Sequence, residues 1–224
     1  MATDLAAILP LPESFAHDAA AVFDPLAGEP PLVRVAQTML GAAVIGAAEP
    51  LVGAVRETLA AHGLTTIGVA VAEEPGSRAQ CLSAGLEQLE DQPRHVVVHD
   101  IRRPLAPARL RDRVIAALRA GNPVVMPLVA VTDSVKAVDG RGSVTGTLDR
   151  STLSAVQYPR GFDAERLSQL LAGRISNGFD ELDESLRTGA PVAFVEGDID
   201  AFLVELPRDA AFVEAIIACR PAVG

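Results

Sequence analysis

His95-Val96-Val97-Val98-His99-Asp100-Ile101-Arg102-Arg103-Pro104 runs from three consecutive valines into a charged loop. A short β-branched run that ends at polar residues reads as a buried strand. The loop leads into a predicted helix, Pro107–Ala120, with Gly121 as its stop. Strand, polar loop and helix, in that order, is the unit from which parallel sheets covered by helices are built.

The same unit recurs on both sides of it. Leu5–Leu11 reads as a first strand. Pro31–Leu40 is predicted helical, with Leu32, Val35, Ala36 and Met39 on one face and Gly41 as its stop. Ala42–Ala47 reads as a buried strand. Pro50 sits where a first-turn proline belongs, and Leu51, Val55 and Leu59 form a stripe that ends at Gly63. A strand Thr65–Val71, a helix Arg78–Glu90 and a strand Val124–Leu128 complete the series. The pattern predicts an α/β fold of three layers: a mostly parallel, Rossmann-like sheet with helices on both faces. Such sheets bind ligands at the carboxyl ends of their strands. The candidate loops are therefore Pro10–Asp18, Glu73–Arg78 and Asp100–Pro107.

After Val131 the pattern changes. Ser134–Val138 and Ser143–Thr147 alternate as strands around the turn-rich Asp139-Gly140-Arg141-Gly142, which predicts a hairpin. It is polar and is expected to project, either as a dimerisation arm or as a surface hairpin with no further role. Beyond it the sequence predicts helices Asp163–Ala172, Glu181–Thr188 and Pro207–Cys219, and strands Val192–Val195 and Phe202–Glu205. Residues 1–224 are expected to form one domain, with 132–150 as a projecting arm.

Composition excludes several classes of partner. The net charge of −10 argues against nucleic acid and against an anionic membrane surface. No apolar run reaches membrane-spanning length, and the start, Met1-Ala2-Thr3-Asp4, lacks the basic and apolar segments of a signal peptide. Cys81 and Cys219 form no metal or redox motif and read as thiols in a reducing compartment. A cytoplasmic protein is expected.

The loop after the central strand carries a resemblance. His99-Asp100-Ile101-Arg102-Arg103-Pro104 resembles the His-Asp-Ala-Ala-Arg-Pro motif of the 2-C-methyl-D-erythritol 4-phosphate cytidylyltransferases, a nucleotide-diphospho-sugar transferase type of fold. Further matches follow in order. Thr132-Asp133-Ser134-Val135-Lys136 is similar to the family's Asp-Thr-(Val/Ile/Met)-Lys strand, and Thr147-Leu148-Asp149-Arg150 to its Thr-Val-Asp-Arg. Ala155-Val156-Gln157-Tyr158-Pro159-Arg160-Gly161-Phe162 is similar to Ala-Val-Gln-Thr-Pro-Gln-Gly-Phe, and Val195-Glu196-Gly197-Asp198 to Val-Glu-Gly-Asp. Asp183-Glu184-Ser185 resembles a Thr-Asp-Asp/Glu-x-Ser segment that caps a helix.

The resemblance implies a site. Asp100, Arg103, Ser134 and Arg150 match positions facing the polyol phosphate or metal. Arg78 and Cys81 match the nucleotide side, in degenerate form. Asp100 and Asp200 are the candidate Mg²⁺ ligands, should the chain be active. Read from the residues alone, Asp100 is equally a helix-entry aspartate, Arg103 its structural partner and Arg150 a surface charge. The resemblance also implies a homodimer built through the 132–150 arm; a heterodimer with a true cytidylyltransferase is the alternative.

The departures lie at the start of the chain. Residues 1–27 hold no glycine and no lysine, and Lys136 is the single lysine beside eighteen arginines. The family's amino-terminal Pro-Ala-Ala-Gly-x-Gly-x-Arg is represented here by Pro10-Leu11-Pro12-Glu13, and the lysine of its Phe-Lys-Ile-Thr by Leu203. A triphosphate loop wants backbone N–H groups and positive charge. Prolines donate no N–H, and Glu13 repels phosphate. The departures imply lost or very weak CTP turnover and a binding or regulatory role. The alternative is an active enzyme that converts CTP and a polyol phosphate to a CDP-polyol and pyrophosphate.

Overall fold

A computed structural model describes residues 4–89, 93–175 and 178–220. Met1–Thr3 and Glu90, which figure in the reading above, lie outside the described residues. The strands are β1 (Leu5–Leu11), β2 (Ala42–Ala47), β3 (Gly68–Val71), β4 (His95–Val98), β5 (Val124–Ala130), β6 (Val135–Val138), β7 (Val144–Leu148), β8 (Ser154–Val156), β9 (Arg160–Asp163) and β10 (Ala193–Glu196). The α-helices are α1 (Ala20–Phe23), α2 (Pro31–Thr38), α3 (Glu49–Ala61), α4 (Arg78–Glu87), α5 (Ala108–Arg119), α6 (Ala164–Ala172), α7 (Glu181–Arg187) and α8 (Ala210–Cys219).

The main sheet has the order β10-β5-β9-β4-β1-β2-β3, with β8 on β5. β1 pairs in parallel with β2 and β4, and β2 with β3. The carboxyl ends of these four strands therefore share one edge, where the candidate loops lie. Side-chain alternation divides the core into two faces. Ala6 and Ile8 of β1, Val96 and Val98 of β4, and Val124 and Met126 of β5 pack with Leu82 of α4 and Leu167 and Leu170 of α6. Ala7, Leu9 and Leu11 of β1 face the other way, against Leu32 and Val35 of α2 and Val55 of α3. Val97 and Val125 share that second face with Val114 and Leu118 of α5. The result is the expected sheet with helices on both faces.

Two strands escape the sequence pattern. β9 is antiparallel and sits between β4 and β5 in the middle of the sheet. Its sequence, Arg160-Gly161-Phe162-Asp163, is short and charged at both ends and has a glycine inside it. That glycine is a packing requirement: a Cβ on Gly161 would come within 2.7 Å of Val114 and 2.8 Å of Leu118. β8 adds three residues antiparallel to β5. Conversely, Phe202–Glu205 is not a strand; it is held to the Asp100 loop by Val204 N–H to Arg102 O, 2.8 Å. One bond makes no ladder. The predicted strand 65–71 is shorter, starting at Gly68. The hairpin β6–β7 forms a separate two-stranded sheet, with Val138, Val144 and Leu148 exposed.

α4 lies unusually close to the sheet. A Cβ on Gly46 of β2 would sit 1.9 Å from the Cys81 carbonyl oxygen of α4, and one on Gly85 would meet the Ile8 side chain at 2.7 Å. Because backbone, not a flexible side chain, blocks position 46, Gly46→Ala is expected to cost about 3 kcal/mol. Gly53 of α3 is exposed with open space around it, so Gly53→Ala is expected to add about 0.5–1 kcal/mol. Urea unfolding midpoints of the two variants check the pair; similar midpoints would contradict this packing.

Candidate active site

Two chemically distinct regions share the carboxyl edge of the sheet. The first follows β1. Pro10 and Leu11 are buried at the strand's end, and Glu13–Ala16 forms one 3₁₀ turn. Pro10 and Pro12 have no N–H, and the Glu13 N–H is already bonded to Gly76 O at 2.9 Å. Phe15 and Phe23 pack against the α2/α3 side of the core. Beside them a cleft of about 500 Å³ is lined by Glu13, Glu49, Pro50, Ala72, Glu74, Pro75 and Gly76. Three carboxylates and no basic side chain line it.

The second region is built on arginines. β4 ends at Val98, and His99 N–H bonds Ile8 O at 2.8 Å, the last bond of the β1–β4 ladder before the loop. Asp100 is buried, and both of its oxygens are engaged by Arg102: backbone N–H to Oδ1 at 2.9 Å, Nε to Oδ1 at 3.3 Å and Nη2 to Oδ2 at 3.1 Å. Burial alone would raise the Asp100 carboxyl, but the hydrogen bonds and charge of Arg102, helped by Arg78, hold it below the usual range. Arg103 donates to Val156 O at 3.3 Å and to Ala201 O, and burial lowers its pKa. His99 is buried and kept neutral, its pKa lowered to about 3 by burial and by the charge of Arg111.

Tyr158 joins this loop to the rest of the edge. The guanidiniums of Arg160, Arg78 and Arg103 lie 4.1, 5.2 and 5.9 Å from its ring centre. Glu181, fully buried at the start of α7, balances them. It accepts from Arg78 Nε at 3.0 Å and Nη2 at 2.7 Å, from Tyr158 OH at 2.7 Å and from Arg160 Nη1 at 2.6 Å. Arg78 is placed by the capping box of α4, in which Ser77 and Gln80 bond reciprocally. Asp180 caps α7 through the Leu182 and Asp183 N–H groups and also takes Arg160 at 3.0 Å. The helix cap read at Asp183-Glu184-Ser185 therefore lies three residues earlier, because Asp180 is the residue whose carboxylate meets the first-turn N–H groups.

The expected site residues are only partly gathered. Asp100, Arg103 and Arg78 converge around Tyr158. Cys81 is buried beneath the β3–α4 loop, its thiol on Gly76 O at 3.7 Å and pushed up to about 12, chiefly by burial. Ser134 is exposed on the hairpin, and Arg150 is exposed at its base, donating to Thr132 O. Among the described residues neither forms a hydrogen bond to the Asp100 loop. Asp200 bonds Arg109 at 3.2 Å and Arg220 at 3.1 Å. Asp100 and Asp200 thus each have both oxygens on arginines, and among the described residues no group of three or more His, Cys, Asp or Glu forms a metal cluster. The donor set does not fit the divalent ion that the resemblance implies. Sequence reasoning missed Glu181 and Arg160. Their only signal was the pairing of Tyr158 with Arg160 where the resembling motif has threonine and glutamine.

The sequence model of the family described as IspD, 2-C-methyl-D-erythritol 4-phosphate cytidylyltransferase, matches residues 14–219. The chain belongs to that family. A 2-C-methyl-D-erythritol 4-phosphate cytidylyltransferase of Frankia casuarinae is 36% identical over 203 residues, 88% of this chain and 74% of the relative. One of Rhodococcus jostii is 35% identical over 87% of this chain and 85% of its own. Among solved structures, a 4-diphosphocytidyl-2C-methyl-D-erythritol synthase superposes with a TM-score of 0.77 at 20% identity, covering 97% of this chain and 100% of that one. The Thermus thermophilus cytidylyltransferase gives 0.71 at 22% identity, with 97% and 100% covered. These two establish the cytidylyltransferase fold. No described helix is long and apolar enough to cross a membrane.

Removing one partner from a buried ion cluster leaves the others uncompensated, at a cost of about 3–5 kcal/mol. Glu181→Gln is expected to fall in that range in chemical denaturation; a loss under 1 kcal/mol would show that the cluster does not organise this edge. Asp100 and Asp180 have lowered folded values. Their stabilisation is present in full above the unfolded aspartate value, about 3.9, and is lost as pH falls through the lower folded values. Thermal melts between roughly pH 6 and pH 2 are expected to show stability dropping below about pH 4.

Proposed function

We propose that this chain transfers a cytidylyl group from CTP to a polyol phosphate such as 2-C-methyl-D-erythritol 4-phosphate, releasing pyrophosphate, at a rate held low by its altered triphosphate side. The observation that carries the reading is the kinship with named cytidylyltransferases across most of the chain. The cleft beside Glu13 supports it, since Phe15 and Phe23 leave that space unfilled. An oxygen of the acceptor phosphate attacks the α-phosphorus of CTP, and the bond to the β-phosphate oxygen breaks. Such reactions depend on positioning and charge stabilisation. In this reading Arg78 and Arg102 face the charge that develops, with Cys81 as packing behind them. Arg103 holds the acceptor phosphate, and Asp100 keeps Arg102 in place beside it. Ser134 and Arg150 join them from the 132–150 arm of a second copy, within a homodimer of single-domain chains.

A second reading, a binding or regulatory protein without turnover, is favoured by one observation: the β1 loop offers prolines and an engaged N–H, and the cleft beside it carries three carboxylates. Each missing charge stabiliser costs about 3–4 kcal/mol, or roughly 10²–10³ in rate. Pyrophosphate release from CTP and methylerythritol phosphate decides between them. Slow release that Arg103→Ala abolishes is the expected result. Release indistinguishable from buffer would overturn the first reading in favour of the second.

A further inference from the structure

Asp100 does not stand free for a metal. It is 4% exposed, and a carboxylate buried so deeply requires a counter-charge. The chain supplies one from two residues further along the same loop. Arg102 reaches back over Asp100 with its backbone N–H, its Nε and its Nη2, at 2.9, 3.3 and 3.1 Å. A guanidinium has five N–H donors. Nε and Nη2 supply the two side-chain bonds to Asp100, and the Arg102 side chain is 47% exposed, so its remaining donors face outward. The charge of Arg78, itself 20% exposed, acts on both Asp100 and Arg102. In the resembling motif, His-Asp-Ala-Ala-Arg-Pro, both middle residues are alanine. The arginine at 102 departs from that motif.

We infer that Arg102 is a built-in counter-cation: it holds the position at Asp100 that a divalent ion would take, and its outward N–H groups receive a phosphate oxygen there without metal. The phosphate half of this inference rests on the proposed cytidylyl transfer; the displacement of metal rests on the Asp100–Arg102 contacts alone. Arg102 acts as a positioning and charge-supplying residue for the anion, and Asp100 as the group that orients it.

Mn²⁺ binding followed by electron paramagnetic resonance tests the first half without any turnover. Wild type is expected to bind Mn²⁺ no better than scattered surface carboxylates do. Arg102→Ala, which uncovers the carboxylate, is expected to gain one ion at least tenfold tighter, on the order of 1.4 kcal/mol. Arg102→Lys keeps a cation and is expected to gain none, and Asp100→Asn with Arg102→Ala is expected to lose the gained ion. Arg102→Ala leaves the buried Asp100 uncompensated, so where it does not fold the wild-type pyrophosphate measurement that follows still decides the matter. Calorimetry with inorganic pyrophosphate tests the second half: wild type binds it in excess EDTA, and Arg102→Ala binds it roughly tenfold more weakly until Mg²⁺ is added. The inference is overturned if wild type binds Mn²⁺ as tightly as Arg102→Ala, or if wild-type pyrophosphate binding requires Mg²⁺. Failure of CTP turnover alone would fall on the proposed reaction, and the Mn²⁺ pattern would stand or fall separately.

Discussion

The carboxylate of Glu181 is the group on which the carboxyl edge of this sheet depends. It is fully buried, yet it accepts from two arginines and a tyrosine that come from α4, the β8–β9 turn and β9. Arg160 has Asp180 as a second partner, but the Arg78 guanidinium relies on Glu181. Through Arg78 it fixes the entrance of α4; through Tyr158 it fixes the ring against which Arg103 rests. The neighbouring Asp180 ties the same helix start to Arg160. An ion cluster of this kind adds little net stability compared with apolar packing, but it admits few alternative arrangements.

That cluster divides the edge electrostatically. On the side of β1 to β3 the lining is acidic, with Glu13, Glu49 and Glu74 around an open cleft. On the side of β4 and β9 it is basic, with Arg78, Arg102 and Arg103. Fields in clefts steer charged ligands, so an anionic ligand is drawn to the second side and held off the first. The kinship with cytidylyltransferases and the unusual β1 loop are therefore compatible. The side that carries the Asp100 motif is basic, while the side of the β1 loop is acidic.

The elements that the sequence revealed are those whose environment is simple. β1 and β2 run over the residues their apolar runs predicted, because central strands buried on both faces read as continuous hydrophobic stretches. α2 to α6 appear within a few residues of their stripes and stop signals. β9 stayed hidden because its interior glycine, which reads as a turn residue, is demanded by α5 lying on top of it. Phe202–Glu205 alternates like a strand yet lacks a partner for a ladder. In the site, Asp100 and Arg103 were legible from a local motif. Glu181 was not: it meets Arg78 across 103 positions of sequence, and no local pattern records such a distance. The bond from Arg102 back to Asp100 leaves no trace in the sequence pattern.

The placement of β9 has a consequence for how this chain is made. In space it lies between β4 and β5, but in sequence it comes after both. A nascent chain that has emerged only through Ala130 therefore has no way to join β5 to the β4 edge it already possesses. Until Arg160–Asp163 leaves the ribosome, β4 presents an unpaired row of backbone groups, the kind of edge that invites association with other chains. The polar hairpin β6–β7 is synthesised in that interval. That insert delays closure of the sheet while leaving its own Val138, Val144 and Leu148 exposed.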